Sequence, residues 1–278
     1  MNHPQVRENG EWMQRIVIIT NGNYFARLVL DRAVKDYAQN IVGVMIVTGD
    51  YKARSGLRLL WDLGRATTFP YLVYKGLTYV AFDLARVLRP KATLFVESLV
   101  KEMGFTWAKY VSVNSAEACA WVEALHPDLL ISVSCPQLIR RKLLSIPTLA
   151  SLNIHSSLLP MYAGLAPYYW VLSKGEQQTG TTVHYMTRKF DDGNILVQKQ
   201  ITIELRESAF HLFRRLAILG SDALSEAIPL ALEHAPGKRQ DLSGYSYFSN
   251  PSFASYLDLR KHGHRLFRVD EIWQAMWG

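Results

Sequence analysis

Three short aliphatic runs constrain the architecture of this chain more than any other feature: Arg15 to Thr20 (RIVIIT), Ile41 to Thr48 (IVGVMIVT) and Leu129 to Ser134 (LLISVS). Runs of this length, bounded by turn residues, read as strands buried on both faces. The first is followed by Asn21-Gly22-Asn23, a tight turn, and then by Tyr24 to Tyr37, an amphipathic stretch at helical spacing. Strand, helix and strand in that order imply a parallel sheet flanked by helices. The alternation resumes with a strand expected at Tyr110 to Val113 and a helix at Ser115 to Leu125. Ser115 caps that helix and Glu117 lies near its positive end.

At 278 residues and 49% hydrophobic, the chain can bury one substantial core and a small appendage without disulfides. Cys119 and Cys135 have neither framework nor metal-ligand spacing, and both sit among apolar neighbours, which fits a reducing cytoplasm. The opening residues MNHPQVRENGEWMQ lack the apolar core of an export signal. A net charge of +7 favours acidic partners without choosing among them.

From Ser151 to Ile203 the chain concentrates an Asn, two His and two adjacent Asp between strand-like segments. Asn153 and His155 are two residues apart, so at a strand end both side chains leave the same face and can converge on one bound atom. The exposed amides where the Tyr24 helix begins could hold a phosphate or carboxylate of a second ligand, which makes Asn21, Gly22 and Asn23 candidate acceptor residues; Asn-Gly is equally a good turn in its own right.

Asn153-Ile154-His155, Ser157-Leu158-Leu159-Pro160, Gly164, Pro167, Trp170, Gly175-Glu176, Thr179-Gly180 and Asp191-Asp192-Gly193 together resemble the signature of the folate-dependent formyltransferases. The match is good from Pro127 to Ile203 and thins on either side. It implies an α/β fold with a Rossmann-like, mainly parallel sheet, forming a catalytic domain over 1–203 with a basic helical insertion at 51–101 and a helical extension and tail over 204–278. It further implies 10-formyltetrahydrofolate as the formyl donor, held by backbone groups of Gln137, Leu138 and Ile139, and no metal.

Moving a formyl group from a folate nitrogen to an amine passes through a tetrahedral oxyanion and needs one proton removed and one supplied. Asn153 suits the oxyanion, because its amide donates and never titrates. His155, with an unperturbed pKa near ~6.5, can polarise the formyl oxygen when protonated. Asp191 can stabilise that imidazolium and take the amine's proton, through a water. The resemblance places its catalytic trio on the same three residues. His184, on a strand expected to cross near the site, and Ser157, in the loop after His155, are expected to support them, and Asp192 is expected to be structural.

The segment from Tyr51 to Lys101 departs from the family pattern and carries nine basic residues against three acidic ones, almost the whole positive excess. Within it, Tyr71 to Leu88 is apolar and aromatic, but Lys75, Asp83 and Arg86 interrupt it and argue against a spanning helix. It is expected to pack as an inserted helix with its charges reaching outward, or to rest on a membrane surface through 71–89. Many relatives carry a basic residue where this chain has Ala163; Arg54 and Arg58 are candidates to compensate for it. After Glu204 the sequence reads helical to Glu233 with a break at Gly220, and too few residues follow for the β-barrel of methionyl-tRNA formyltransferases. The expected acceptor is therefore a small-molecule amine, such as an amino sugar on a nucleotide carrier, with tRNA a lesser alternative. Hydrolysis of the donor by the same trio, a non-catalytic folate-binding scaffold, and a homo-oligomer remain open.

Overall fold

The computed structural model describes residues 14–49, 67–89, 92 and 94–277. The first part of the basic insertion, including Arg54 and Arg58, lies outside the described residues. Nine strands are described: β1 (Ile16–Thr20), β2 (Ile41–Val47), β3 (Trp107–Tyr110), β4 (Leu129–Val133), β5 (Ala150–His155), β6 (Ala163–Gly164), β7 (Gln178–Tyr185), β8 (Ile195–Thr202) and β9 (Tyr247–Phe248). Seven of them form one sheet in the order β3-β2-β1-β4-β5-β7-β8. The first five pair in parallel, and β7 and β8 pair antiparallel to close one edge. All five residues of β1 and all five of β4 are buried, as central strands covered on both faces require. The Rossmann-like α/β expectation holds.

The helices are α1 (Tyr24–Tyr37), α2 (Phe69–Leu88), α3 (Val96–Glu102), α4 (Ala116–Ala124), α5 (Arg141–Leu144), α6 (Pro167–Lys174), α7 (Ala209–Leu232), α8 (Phe253–Lys261) and α9 (Val269–Trp277). They divide between two cores, one on each face of the sheet. On one face, residues of α1, α2, α6, α7 and α9 form the larger core. On the other, α4 and α5 cover Val17, Ile19, Met45 and Leu130.

Two local expectations are corrected. The strand expected at Tyr110 to Val113 runs instead over Trp107–Tyr110, because the Gln137 side chain captures the backbone just beyond it. Its Nε2 donates to Val111 O at 2.7 Å, and its Oε1 accepts from Val113 N at 2.9 Å. Gly220 does not break α7, which is continuous for 24 residues. It sits where α7 crosses β5, and a Cβ there would stand 2.9 Å from Ile154 Cδ1. Phe210, Leu212, Leu216 and Leu224 of helix α7 are buried in the larger core.

Helix α2 buries Tyr71, Tyr74, Thr78, Phe82 and Ala85 along one stripe, spaced by three or four residues. Its outward face carries Phe69, Leu77, Val80, Leu84 and Val87, all exposed, so apolar residues as well as charges point away from the core. No helix among the described residues is long and apolar enough to cross a membrane.

Candidate active site

The strand order changes direction at β1, whose neighbours are β2 on one side and β4 on the other. In such sheets a crevice opens beyond the carboxyl ends of the strands at that point. Here a cavity of about 570 Å³ occupies it. The turn after β1 contributes Asn21 and Asn23, the turn after β4 contributes Ser134 to Ile139, and the end of β5 contributes Asn153 and His155.

Asn153 and His155 share a face of β5, as their two-residue spacing requires. The antiparallel pairing of β5 with β7 puts His184 directly opposite Asn153, and Thr182 opposite His155. Asn153 Nδ2 lies 3.2 Å from His184 Nε2 and 3.4 Å from Asp191 Oδ1. His155 is buried, and its Nε2 stands 2.8 Å from the carbonyl oxygen of Tyr162. A carbonyl can only accept, so Nε2 carries the hydrogen and Nδ1 is left facing Asp191 Oδ2 at 3.8 Å. His184 is fixed in the opposite sense: its Nδ1 donates to Tyr185 O at 2.8 Å, which leaves Nε2 for Asn153.

Asp191 joins these groups from the loop between β7 and β8. Its backbone is left-handed, with φ +52°, an uncommon conformation for a residue with a side chain. Gln240 Nε2 holds the loop there by donating to Asp191 O at 2.9 Å and Gly193 O at 2.7 Å. The Gly164 N–H donates to Asp191 Oδ2 at 2.9 Å. Only glycine fits at 164: φ is +94°, and a Cβ would stand 2.3 Å from Phe248 O. Burial pushes the Asp191 carboxyl up, but the charge that His155 and His184 bring when protonated, with His184 Nε2 3.6 Å from Oδ1, and the Gly164 N–H outweigh it and hold the group well below the usual carboxylate range. Asp192 turns away and accepts from the Thr187 hydroxyl.

The remaining expected residues separate clearly. Asn21 and Asn23 line the cavity, while their side-chain oxygens are used in the turn: Asn21 Oδ1 accepts from Asn23 N at 3.1 Å, and Asn23 Oδ1 caps α1 at Ala26 N at 2.9 Å. Gly22 supplies the bend, with φ +74°, and does not line the cavity. Ser157 does not reach it either; it is fully buried and donates to Met161 O at 2.8 Å, so it shapes the loop and offers nothing to an acceptor.

Gln137, Leu138 and Ile139 all line the cavity wall after β4. The Gln137 amide is committed to Gly49, Val111 and Val113, and Leu138 O accepts from Asn114 Nδ2 at 2.8 Å. Among the described residues nothing bonds to the N–H groups of Leu138 and Ile139 or to the Ile139 carbonyl, so this wall has backbone donors and an acceptor to spare. Glu204, Glu207 and His211 could together face a metal, but none lines the cavity, and Arg215 Nη1 already donates to both Glu207 oxygens at 2.9 and 3.0 Å.

Sequence reasoning missed the tail. β9 pairs in parallel with β6, opposing Tyr247 to Ala163 and Phe248 to Gly164. Tyr247, Ser249 and Asn250 complete the cavity rim, and Gln240 braces the Asp191 loop. A two-residue strand and a lone glutamine leave no periodic signal in sequence. Lys75 and Tyr71 of α2 and Tyr168 of α6 also line the cavity.

The sequence profile described as Formyl transferase matches residues 80–228. A methionyl-tRNA formyltransferase of Lysinibacillus sphaericus is 32% identical over 60% of this chain and 53% of its own length. One from Staphylococcus aureus is 40% identical over 44% of this chain and 39% of its own. The chain thus spans about half the length of the curated relatives it matches. Among solved structures, glycinamide ribonucleotide transformylase 1 of Symbiobacterium toebii superposes with TM-score 0.57 at 18% identity, covering 86% of this chain and 99% of that one. An N-formyltransferase from Helicobacter canadensis, in complex with folinic acid and dTDP-3-aminofucose, gives TM-score 0.55 at 15% identity over 87% and 72% of the two chains. The matched stretch runs from α2 through the strand bearing Asn153 and His155, past Asp191 and into α7, more than half of the chain, and this protein belongs to the formyl transferase family.

Proposed function

We propose that this chain transfers a formyl group from 10-formyltetrahydrofolate to an amine carried by a small molecule. The convergence of Asn153, His155 and Asp191 on one cavity at the carboxyl ends of parallel strands carries the reading. About 570 Å³ is within the range of small-molecule sites, roughly 300–1,000 Å³. The uncommitted backbone groups of Leu138 and Ile139 suit the donors and acceptors of a pterin edge, and their apolar side chains suit its faces.

The folate supplies a formyl group on nitrogen; the rest falls to this chain. Asn153 Nδ2 offers an N–H to the formyl oxygen in place of its long 3.4 Å contact with Asp191. His155 Nδ1 donates when protonated, and its ring is held in register by the Tyr162 carbonyl. Asp191 steadies that imidazolium and receives the proton released by the amine, through a water. His155 gives its Nδ1 proton to the folate nitrogen as the carbon–nitrogen bond to the donor breaks, and passage of the proton from Asp191 to His155 restores the pair.

For the acceptor, an amino sugar on a nucleotide carrier is favoured by the Helicobacter canadensis enzyme, whose complex holds folinic acid with dTDP-3-aminofucose and whose fold covers 87% of this chain. Methionyl-tRNA is a second reading, favoured by the curated relatives at 32–40% identity. The test is tetrahydrofolate release from 10-formyltetrahydrofolate with dTDP-linked amino sugars, with glycinamide ribonucleotide, with methionyl-tRNA, or with no acceptor. Acceptor-dependent release with a small amine is expected. Release only with tRNA would replace the acceptor, release at the same rate with and without any acceptor would make the protein a hydrolase, and no release in any arm would overturn the reading.

A further inference from the structure

Helix α2 turns one side of its buried stripe toward the cavity, and one residue there has no role in the chemistry above. Lys75 lines the cavity one helical turn after Tyr71, whose hydroxyl lies 3.1 Å from that of Tyr168 on α6. The Lys75 Nζ is 5.9 Å from the ring centroids of both Tyr71 and Tyr74, and among the described residues it has neither a hydrogen-bond acceptor nor a carboxylate partner. Burial pushes this ammonium down to about 8, a value at which it still carries its charge at neutral pH. Lys75 is partly buried, and a partly desolvated cation with only aromatic faces beside it among the described residues is one that a ligand bringing an anion would stabilise.

The position of Lys75 relative to the sheet says which ligand that is. The wall of Leu138 and Ile139 is built over the smaller core, beside α4 and α5, whereas Tyr71, Tyr168 and the turn at Asn21 and Asn23 belong to the face of the larger core. Lys75, on α2, lines the cavity from the larger core's face, whereas the wall proposed for the folate rises from the smaller core's face. Asp191 is the cavity's own carboxylate, and it is committed to His155 and Gly164. Ala163 is fully buried and brings no charge.

We infer that Lys75 is the anion-recognition group of the acceptor subsite, so that the amine accepted by this chain is carried on a molecule bearing a phosphate or carboxylate. The inference rests on the formyl-transfer reading and deepens it by assigning the acceptor's charge. An ammonium on a flexible stem suits a phosphate or carboxylate as a point charge, without the bidentate geometry that arginine imposes.

The test compares wild type with Lys75→Met, which keeps the volume and removes the charge, and Lys75→Arg, which keeps the charge. Calorimetric titration with 5-formyltetrahydrofolate, and separately with pyrophosphate and with acetate, each with and without saturating 5-formyltetrahydrofolate, reads the two subsites independently. The folate should bind all three proteins within about twofold, while pyrophosphate or acetate should bind the Met variant at least ~tenfold more weakly than wild type and the Arg variant nearly as well as wild type. Whichever of the two anions depends on Lys75 identifies the acceptor's charged group. Equal anion binding by wild type and Lys75→Met, or no anion binding by wild type at millimolar concentration, overturns the inference. A loss of folate affinity confined to Lys75→Met also overturns it, assigning Lys75 to the carboxylates of the folate tail. Absence of folate binding by wild type overturns the formyl-transfer reading instead, and the anion arm still tests the site. Should Lys75→Met not fold, Lys75→Gln takes its place under the same criteria.

Discussion

Asn153 and His184 face each other across the β5–β7 pair with Nδ2 and Nε2 3.2 Å apart. When the His184 ring is neutral and its Nδ1 donates to Tyr185 O, Nε2 accepts and fixes the rotation of the Asn153 amide. The second amide hydrogen is thereby aimed at the space between Asn153 and Asp191. His184→Phe removes the acceptor and leaves the amide free to turn. Its kcat should fall by about 10–100-fold, the range for partners that orient a reacting group, while KM for 10-formyltetrahydrofolate changes little. Steady-state kinetics of the variant checks this, and an unchanged kcat would remove His184 from the site.

Asp191→Asn should lower kcat by about 10²–10⁴-fold, the range for a positioned acid or base, with folate affinity nearly intact. A stability consequence accompanies it. The folded carboxyl is depressed below its unfolded value, so ionised Asp191 stabilises the fold fully above the unfolded pKa, and that contribution is lost as pH falls toward the folded value. Melting temperatures of wild type and Asp191→Asn, compared from pH 6 down to pH 2, should therefore keep a constant gap above about pH 4 and converge below it, as acid removes the advantage from wild type alone.

Lys75→Met should raise stability at pH 7. The folded pKa, about 8, lies below the value of 10.5 for a free lysine, so burying the charge costs stability in full below pH 8. The cost should be about 1–3 kcal/mol and should shrink as pH rises from 8 to 10.5, because the unfolded chain then loses its proton too. Among the described residues the ring centroids of Tyr71 and Tyr74 lie 5.9 Å from Lys75 Nζ, and burial keeps the hydroxyls of both, and of Tyr168 bonded to Tyr71, neutral across this range. Denaturant unfolding of the two proteins at pH 7 and pH 10 measures the difference. An equal gain at both pH values would show that packing, and not charge, is responsible.

Gln240→Leu removes the two hydrogen bonds that Gln240 Nε2 donates to the Asp191 loop, at 2.9 and 2.7 Å. With its backbone at φ +52° no longer tied, Asp191 should spend less time beside His155. The expected result is a lower kcat with folate binding preserved, together with faster amide exchange confined to 189–194. Unchanged exchange there would place the role of Gln240 elsewhere.

The sequence by itself determined the parts that follow from local pattern. The aliphatic runs at Arg15 to Thr20, Ile41 to Thr48 and Leu129 to Ser134 became β1, β2 and β4, because strands buried on both faces read as near-continuous apolar runs. Tyr24–Tyr37 became α1, with Asn23 as its cap. The two-residue spacing of Asn153 and His155 put them on one face of β5, since alternation along a strand is fixed by the backbone. Only the tertiary structure decided the rest. Strand register set His184 against Asn153, a cross-strand pairing that no single segment encodes. The course of α7 over β5 made Gly220 a close approach and not a break. The pairing of β9 with β6 brought the tail to the cavity rim and Gln240 under the Asp191 loop. Lys75 looked like one interruption in an apolar helix; packing α2 through Tyr71 onto Tyr168 turned it into the cavity, because rotation about the helix axis is set by what the neighbouring face buries.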